Sequence, residues 1–334
     1  MAQLSFVQFN HFVKLRVMRK ALIVGIDYYT HVNRLDGCVN DAYSVRQVLE
    51  RHGDGTKNFD VMLKTASDST TAIDKKELKS LIADLFDDET DVALLYFAGH
   101  GYIDSDSGYL ITSDCKAGAD GVSMDEIMSL VNKSRSKNKV VILDCCHSGQ
   151  FGNVKALGNS AVLSEGTTIL TASARDQYAA ESDGKGLFTS LLVDAMNGSA
   201  ANLVGEISPG SVYAHIDRSL GAWSQRPIFK TNVRSFISLR KVNPPITLED
   251  LKKIDDLFPD KGYEFPLDPT FEPTSGKTSE TNAEKFRILQ KYNRLNLVVP
   301  VGAEHMYFAA MESKSCKLTI LGEHYWTLVK EERI

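Results

Sequence analysis

From Lys20 to about Lys241 the chain alternates short, almost wholly apolar runs with longer stretches whose apolar residues recur at helical spacing, and nothing else narrows its possible folds so far. Residues 21–26, 59–63, 91–97, 140–143 and 168–171 have the length and composition of buried strands. Between them, Ala42, Val45, Val48 and Leu49 mark one helical face within residues 40–52, which Gly53 is expected to end. Ile73, Leu78, Leu81, Ile82 and Leu85 mark a second helix. A third is expected from Ser123, with Glu126 at the capping-box offset, and a fourth over residues 187–196. Strands separated by helices are joined by crossovers, so the expected fold is α/β, a mostly parallel sheet flanked by helices on both faces. One departure is the run over residues 108–112, after an Asp-Ser-Asp-Ser turn, which reads as a small hairpin.

The alternation stops near Lys241, and residues 244–273 carry six of the nine prolines with an excess of acids. The expected organisation is therefore an N-terminal extension (1–18), an α/β domain (19–242), a proline-rich acidic linker (243–282) and a small C-terminal α+β domain (283–334). With 43% hydrophobic and 24% charged residues among 334, there is ample material for a large core. No apolar run reaches the roughly 20 residues of a spanning helix, so no membrane partner is expected. A net charge of −5 advertises neither nucleic acid nor anionic lipid. The five cysteines, Cys38, Cys115, Cys145, Cys146 and Cys316, fit neither a disulfide framework nor paired zinc spacing, and a reducing cytoplasm is the expected setting.

In an open parallel sheet, chemistry gathers beyond the carboxyl ends of the strands. After Leu94-Leu95-Tyr96-Phe97 comes Ala98-Gly99-His100-Gly101, and after Val141-Ile142-Leu143 comes Asp144-Cys145-Cys146-His147-Ser148-Gly149. A histidine and a cysteine thus leave the same edge 46 residues apart, about one crossover. A thiolate with an imidazole in reach is the minimum set for covalent acyl transfer. Cys146 is the expected nucleophile and His100 the base, with His147 as a rival base; Cys145, on the opposite face of a continuing strand, reads as a buried small hydrophobe. The backbone N–H groups of Gly101 and Cys146 are the expected oxyanion hole. Asp144 shares a side with Cys146 by the same alternation.

At these residues the chain resembles the caspase-like cysteine proteases, in their metacaspase and prokaryotic caspase-homologue branch. Tyr96 to Gly101 is similar to the family's histidine motif, and Asp144 to Gly149 to its Asp-x-Cys-His-Ser-Gly motif. Leu35-Asp36-Gly37-Cys38-Val39-Asn40-Asp41-Ala42, Ser173 to Gln177 and Gly186-Leu187-Phe188-Thr189 agree as well. The resemblance implies a His100–Cys146 dyad. It also implies a first specificity pocket lined by Asp41 and Asp144, which selects protein or peptide substrates with Arg or Lys before the scissile bond. Two convergent carboxylates favour that choice, Arg above Lys through bidentate pairing. The competing role for Asp41 is a carboxylate serving the free amides at a helix start.

No cofactor is expected. The calcium site of some metacaspases would draw on Asp104, Asp106 and Asp114, but Asn153 stands where a carboxylate is needed after the cysteine motif. Residues 151–166, small and polar with Lys155 as the one basic residue, read as a zymogen-processing loop. Residues 317–326 loosely resemble the end of a winged-helix module; docking of a regulatory protein is the expected role of the tail, coupled in prokaryotic relatives to stress or phage-defence sensing. Two other functions stand beside the peptidase: an idle caspase-like scaffold, and a phosphate-binding α/β protein, for which no Walker loop or GxGxxG follows a strand.

Overall fold

The computed structural model describes residues 18–104, 107–145, 162–172, 181–182, 185–221 and 226–334, with the backbone alone at 181, 182 and 185. The expected N-terminal extension, all but Met18, lies outside them, as do most of the expected processing loop and residues 173–177. The chain divides into two compact units, the first ending at Ala201 and resuming over Glu206–Asn243, the second made of Asn202–Gly205 and Pro244–Ile334.

In the first unit the elements run β1 (Arg19–Ile26), α1 (Cys38–Glu50), β2 (Asp60–Ala66), α2 (Lys75–Asp87), β3 (Val92–Ala98), β4 (Gly101–Ile103), β5 (Gly108–Leu110), β6 (Val122–Ser123), α3 (Met124–Lys133), β7 (Asn138–Asp144) and β8 (Thr167–Thr171). They continue through β9 (Glu181–Ser182), β10 (Lys185–Gly186), α4 (Leu187–Asp194), β11 (Glu206–Ile207), α5 (Pro209–Ser219), β12 (Ile228–Asn232) and β13 (Arg240–Lys241). Among the described residues six strands form the main sheet in the order β12-β8-β7-β3-β1-β2. All neighbours are parallel except β12, which runs antiparallel to β8. The strand with the most continuous apolar sequence, β3, is buried at every residue, as a strand covered on both faces must be.

Successive side chains on the strands feed two cores. Leu95, Phe97, Val141 and Leu143 point toward α2 and α3, where Leu78, Ile82, Ile127 and Val131 are buried. Leu94, Tyr96, Val140 and Ile142 point toward α1, α4 and α5, where Ala42, Val45, Leu192, Val212 and Ile216 are buried. Helix α1 lies so close to β1 that a Cβ on Gly25 would sit 2.3 Å from the Cys38 carbonyl oxygen.

Local details differ from the sequence reading in four places. Helix α1 ends at Glu50 with Arg51 extended, so Gly53 is no cap; it is small because Val242 Cα would lie 2.8 Å from its Cβ, and its N–H donates to the Lys241 carbonyl at 2.7 Å. Ser123 caps α3 by accepting the Asp125 N–H at 3.2 Å, while the Glu126 carboxylate, expected to complete a capping box, pairs with Lys79 at 3.0 Å. The expected hairpin has a third strand, the order being β4-β5-β6. The fourth helix turns at Ala195 into a π-helical segment that ends at Ser199.

The second unit overturns the expected linker. Ile246, Leu251, Ile254, Leu257, Phe258, Leu267 and Phe271, all within residues 243–282, are buried in one core with Phe286, Leu289, Tyr292 and Leu318. Burying so many large apolar side chains makes a domain of this stretch, whatever its proline content. Its elements are α6 (Leu248–Lys252), α7 (Ile254–Leu257), β14 (Glu264–Pro266), α8 (Glu280–Arg294), β15 (Val298–Val301), α9 (Met306–Met311), β16 (Ser315–Leu318) and α10 (Ile320–Lys330). The antiparallel sheet has the order β14-β16-β15. Helix α9 joins β15 to β16, where a winged-helix module would place a hairpin wing.

Candidate active site

Strands β3 and β7 are direct neighbours with Ala98 opposite Asp144, so the two motifs leave the sheet side by side. His100 follows two residues after Ala98, and the chain passes out of the described residues one position after Cys145. Cys146, the expected nucleophile, and His147, the rival base, are therefore outside them. Cys145 is 1% exposed and packs in the core under α2 and α3, as a small hydrophobe on that face should.

His100 is held at three points. Its backbone N–H donates to the Tyr29 hydroxyl at 2.8 Å, its carbonyl accepts from the Ile111 N–H at 3.0 Å, and its ring Nε2 lies 2.8 Å from the Asn33 carbonyl oxygen. A carbonyl only accepts, so Nε2 carries the proton there and the lone pair of a neutral ring resides on Nδ1. Gly101, the other expected oxyanion donor, begins β4 directly after His100.

Tyr29 and Asn33 both belong to the loop between β1 and α1. That loop is pinned by the Asp27 and Tyr28 N–H groups on the Ala66 carbonyl (both 2.9 Å) and by Thr30 N–H on the Ser113 carbonyl at 2.8 Å. At its far end the Asp27 carboxylate accepts the Cys38 N–H at 2.8 Å, with Gly37 and Val39 N–H at 3.3 and 3.4 Å. Burial raises the Asp27 carboxyl above the ordinary range, and these amides pull it back. The free amides at the start of α1 are thus served by Asp27, the role that competed for Asp41.

Asp41 and Asp144 meet at the start of α4. Asp41 is 3% exposed and its Oδ2 accepts the Gly186 N–H at 3.0 Å; Asp144 is 8% exposed and its Oδ2 accepts the Thr189 hydroxyl at 2.6 Å. A Cβ on Gly186 would lie 2.8 Å from Asp144 Oδ2 and 2.9 Å from Asp41 Oδ2, which locates both carboxylates around one backbone position. An ionised carboxylate only accepts, so Thr189 donates to it and the Tyr96 hydroxyl, 2.5 Å away, donates to Thr189. Burial, reinforced by the charges of Asp144 and Asp41, holds the Tyr96 hydroxyl well above its ordinary range. Tyr29, Asn33, Tyr96 and Thr189 were not singled out from sequence; Tyr96 and Thr189 lie within quoted motifs, but their chain to Asp144 exists only once α4 packs on the sheet.

Asp104 accepts from the Ser107 N–H at 2.6 Å and the Tyr109 hydroxyl at 3.1 Å, and Asp114 from the Thr112 hydroxyl at 2.7 Å and the Lys75 N–H at 3.2 Å. Their oxygens hold local turns, and among the described residues no three acidic, histidine or cysteine side chains group so as to hold a metal ion. Asp106 and Asn153, the other two positions weighed for a calcium site, lie outside the described residues.

The sequence model of the Peptidase C14 family, the caspase domain, matches residues 18–237. Metacaspase-4 of Arabidopsis thaliana is 31% identical over 144 residues, covering 39% of this chain and 34% of that protein. Metacaspase-6 of the same plant is 30% identical over 145 residues, covering 39% of this chain and 38% of the relative. The chain therefore spans little more than about one third of the curated relatives it matches. The fold is similar to the crystal structure of a Geobacter sulfurreducens protein, with a TM-score of 0.50 and 16% identity over 67% of this chain and all of that one.

Proposed function

The chain belongs to the caspase-domain family, Peptidase C14, and from that membership we propose that it is a cysteine endopeptidase that cleaves after Arg or Lys. The observation that carries the reading is the pairing of Ala98 with Asp144, which makes His100 a neighbour of the strand end that leads into Cys146, with the imidazole Nε2 committed to Asn33. In this reading His100 Nδ1 takes the Cys146 thiol proton and the thiolate attacks the scissile carbonyl. The N–H groups of Gly101 and Cys146 receive the developing oxyanion. The imidazolium then protonates the leaving amine, and the same ring deprotonates the water that hydrolyses the acyl-enzyme. Asp41 and Asp144 bind the guanidinium or ammonium of the residue before the scissile bond.

Two regulatory features belong to the same proposal: cleavage in the loop that carries Lys155, and docking of a regulatory protein on the second unit. Fluorogenic peptides ending in Arg, Lys and Asp test the reading, with Cys146→Ala and His100→Ala as controls. Hydrolysis of the Arg peptide is expected to exceed that of the Asp peptide and to fall by about 1,000-fold or more in either variant. Faster hydrolysis of the Asp peptide overturns the specificity. No hydrolysis, with iodoacetamide failing to label Cys146 in a His100-dependent manner, leaves the caspase-like scaffold.

A further inference from the structure

We infer that Tyr29 is the positioning residue of the histidine: its hydroxyl fixes the His100 backbone, its ring walls one face of the imidazole, and Gly99 is glycine in order to admit it. The inference rests on the reading of His100 as the base, and concerns how that base is held.

Three contacts converge. The Tyr29 hydroxyl oxygen accepts the His100 N–H at 2.8 Å, which orients the peptide plane from which the side chain departs. The two rings lie 4.7 Å apart at 50°, so the phenol closes one side of the imidazole's rotational range. A Cβ on Gly99 would fall 2.8 Å from the Tyr29 hydroxyl, its nearest neighbour, with two Phe97 ring carbons at 3.0 and 3.1 Å. Gly99 does not occupy the left-handed region of backbone space, so the obstacle to a side chain there is occupied space.

Tyr29 is itself buried and anchored on both sides. It is 4% exposed, packs in the core under α2 and α3, and is flanked by the Tyr28 and Thr30 N–H anchors on Ala66 and Ser113. Four residues further on, the same loop supplies the Asn33 carbonyl to Nε2. Backbone and ring of His100 are therefore both referenced to one anchored segment, the β1–α1 loop. Preorganisation of this kind acts on the chemical step and leaves substrate binding alone.

The kinetic test uses the full chain as four proteins: the parent, Tyr29→Phe, Gly99→Ala and the double variant. With an Arg-terminated fluorogenic peptide, Tyr29→Phe is expected to lower kcat about tenfold with KM within about twofold. Gly99→Ala is expected to lower kcat by about 100-fold, because its methyl displaces the hydroxyl and with it the histidine. In the double variant the nearest obstacle is gone and only the Phe97 ring edge, at 3.0 and 3.1 Å, still crowds the methyl, so kcat should recover to within about threefold of Tyr29→Phe alone. A second readout needs no turnover: in Cys146→Ala protein, 15N shifts of the His100 imidazole should report the Nε2–H tautomer alone, and a mixture of tautomers once Tyr29→Phe is added. A Tyr29→Phe protein with parental kcat and a single tautomer overturns the inference, as do losses from the two substitutions that simply multiply. If the parent cleaves no Arg or Lys peptide, the peptidase reading fails by itself and the tautomer measurement still decides the role of Tyr29.

Discussion

Both units bury aspartates, and the groups that position them differ in kind. Asp250 in the second unit is 7% exposed and is placed by cations: Lys291 Nζ at 2.6 Å, with Arg287 and Lys253 at 3.7 and 3.8 Å. The hydrogen bond and charge of Lys291 hold its carboxyl below the ordinary range. In the first unit, Asp41 is oriented by the backbone N–H of Gly186 and Asp144 by the hydroxyl of Thr189. Burial of a carboxylate therefore does not by itself mark chemistry. What distinguishes the pair is placement, Asp144 at the end of β7 and Asp41 in the first turn of α1, with both carboxylates gathered around the Gly186 backbone at the start of α4.

The comparison breaks or sharpens on four measurements. The largest effect is expected for Asp144→Asn, which keeps the shape but removes the charge: kcat/KM on an Arg peptide should fall by about 100-fold while the folding free energy changes by less than about 1 kcal/mol. An equal loss of stability would put Asp144 in the same class as Asp250. Asp250→Asn should do the reverse, costing about 2 kcal/mol in denaturant unfolding of the second unit because three cations lose their shared partner, with peptide hydrolysis unchanged. Thr189→Val comes next, since it removes the donor to Asp144 and the acceptor for Tyr96 together; about a tenfold loss in kcat/KM is expected, with KM carrying most of it. The smallest effect is a pH dependence. The folded-state carboxyl of Asp250 is depressed, so its contribution is complete above the ordinary aspartate pKa of about 3.9 and is lost as pH falls through the depressed value. The stability difference between parent and Asp250→Asn should therefore shrink steadily below about pH 4.

How far the sequence carried the reading depended on what each residue's role required. The interior strands β1, β3 and β7 and helices α1 to α4 were legible because a doubly covered strand must be continuously apolar and a one-sided helix must repeat its apolar face. Strand β12 was not, because Ile228-Phe229-Lys230-Thr231-Asn232 is a half-exposed edge with no alternation to read. The proline-rich stretch misled for a related reason. Leu251, Ile254, Leu257 and Phe258 do fall at helical spacing, but over only two short helices set between Pro245 and Pro259, too brief a run to outweigh the prolines. At the candidate site, His100, Asp41 and Asp144 could be picked out by their position after apolar runs or in a quoted motif. Tyr29 and Asn33 could not, because a loop tyrosine and a backbone carbonyl gain their roles only from the way the β1–α1 loop returns to the sheet edge.

Gly186 and Gly99 carry a consequence for anyone who would stabilise this chain. Replacing glycine by alanine at a site whose backbone already suits an L-residue ordinarily stabilises a protein by about 0.4–1 kcal/mol, through the unfolded state. Gly186, with φ −65° and ψ 130°, looks like an ideal candidate by that recipe. Its methyl would instead land within 2.9 Å of both Asp41 and Asp144. A library rule that scores backbone dihedrals alone would be steered toward a change that drives a methyl into both carboxylates, so it should exempt Gly186, and Gly99 with it.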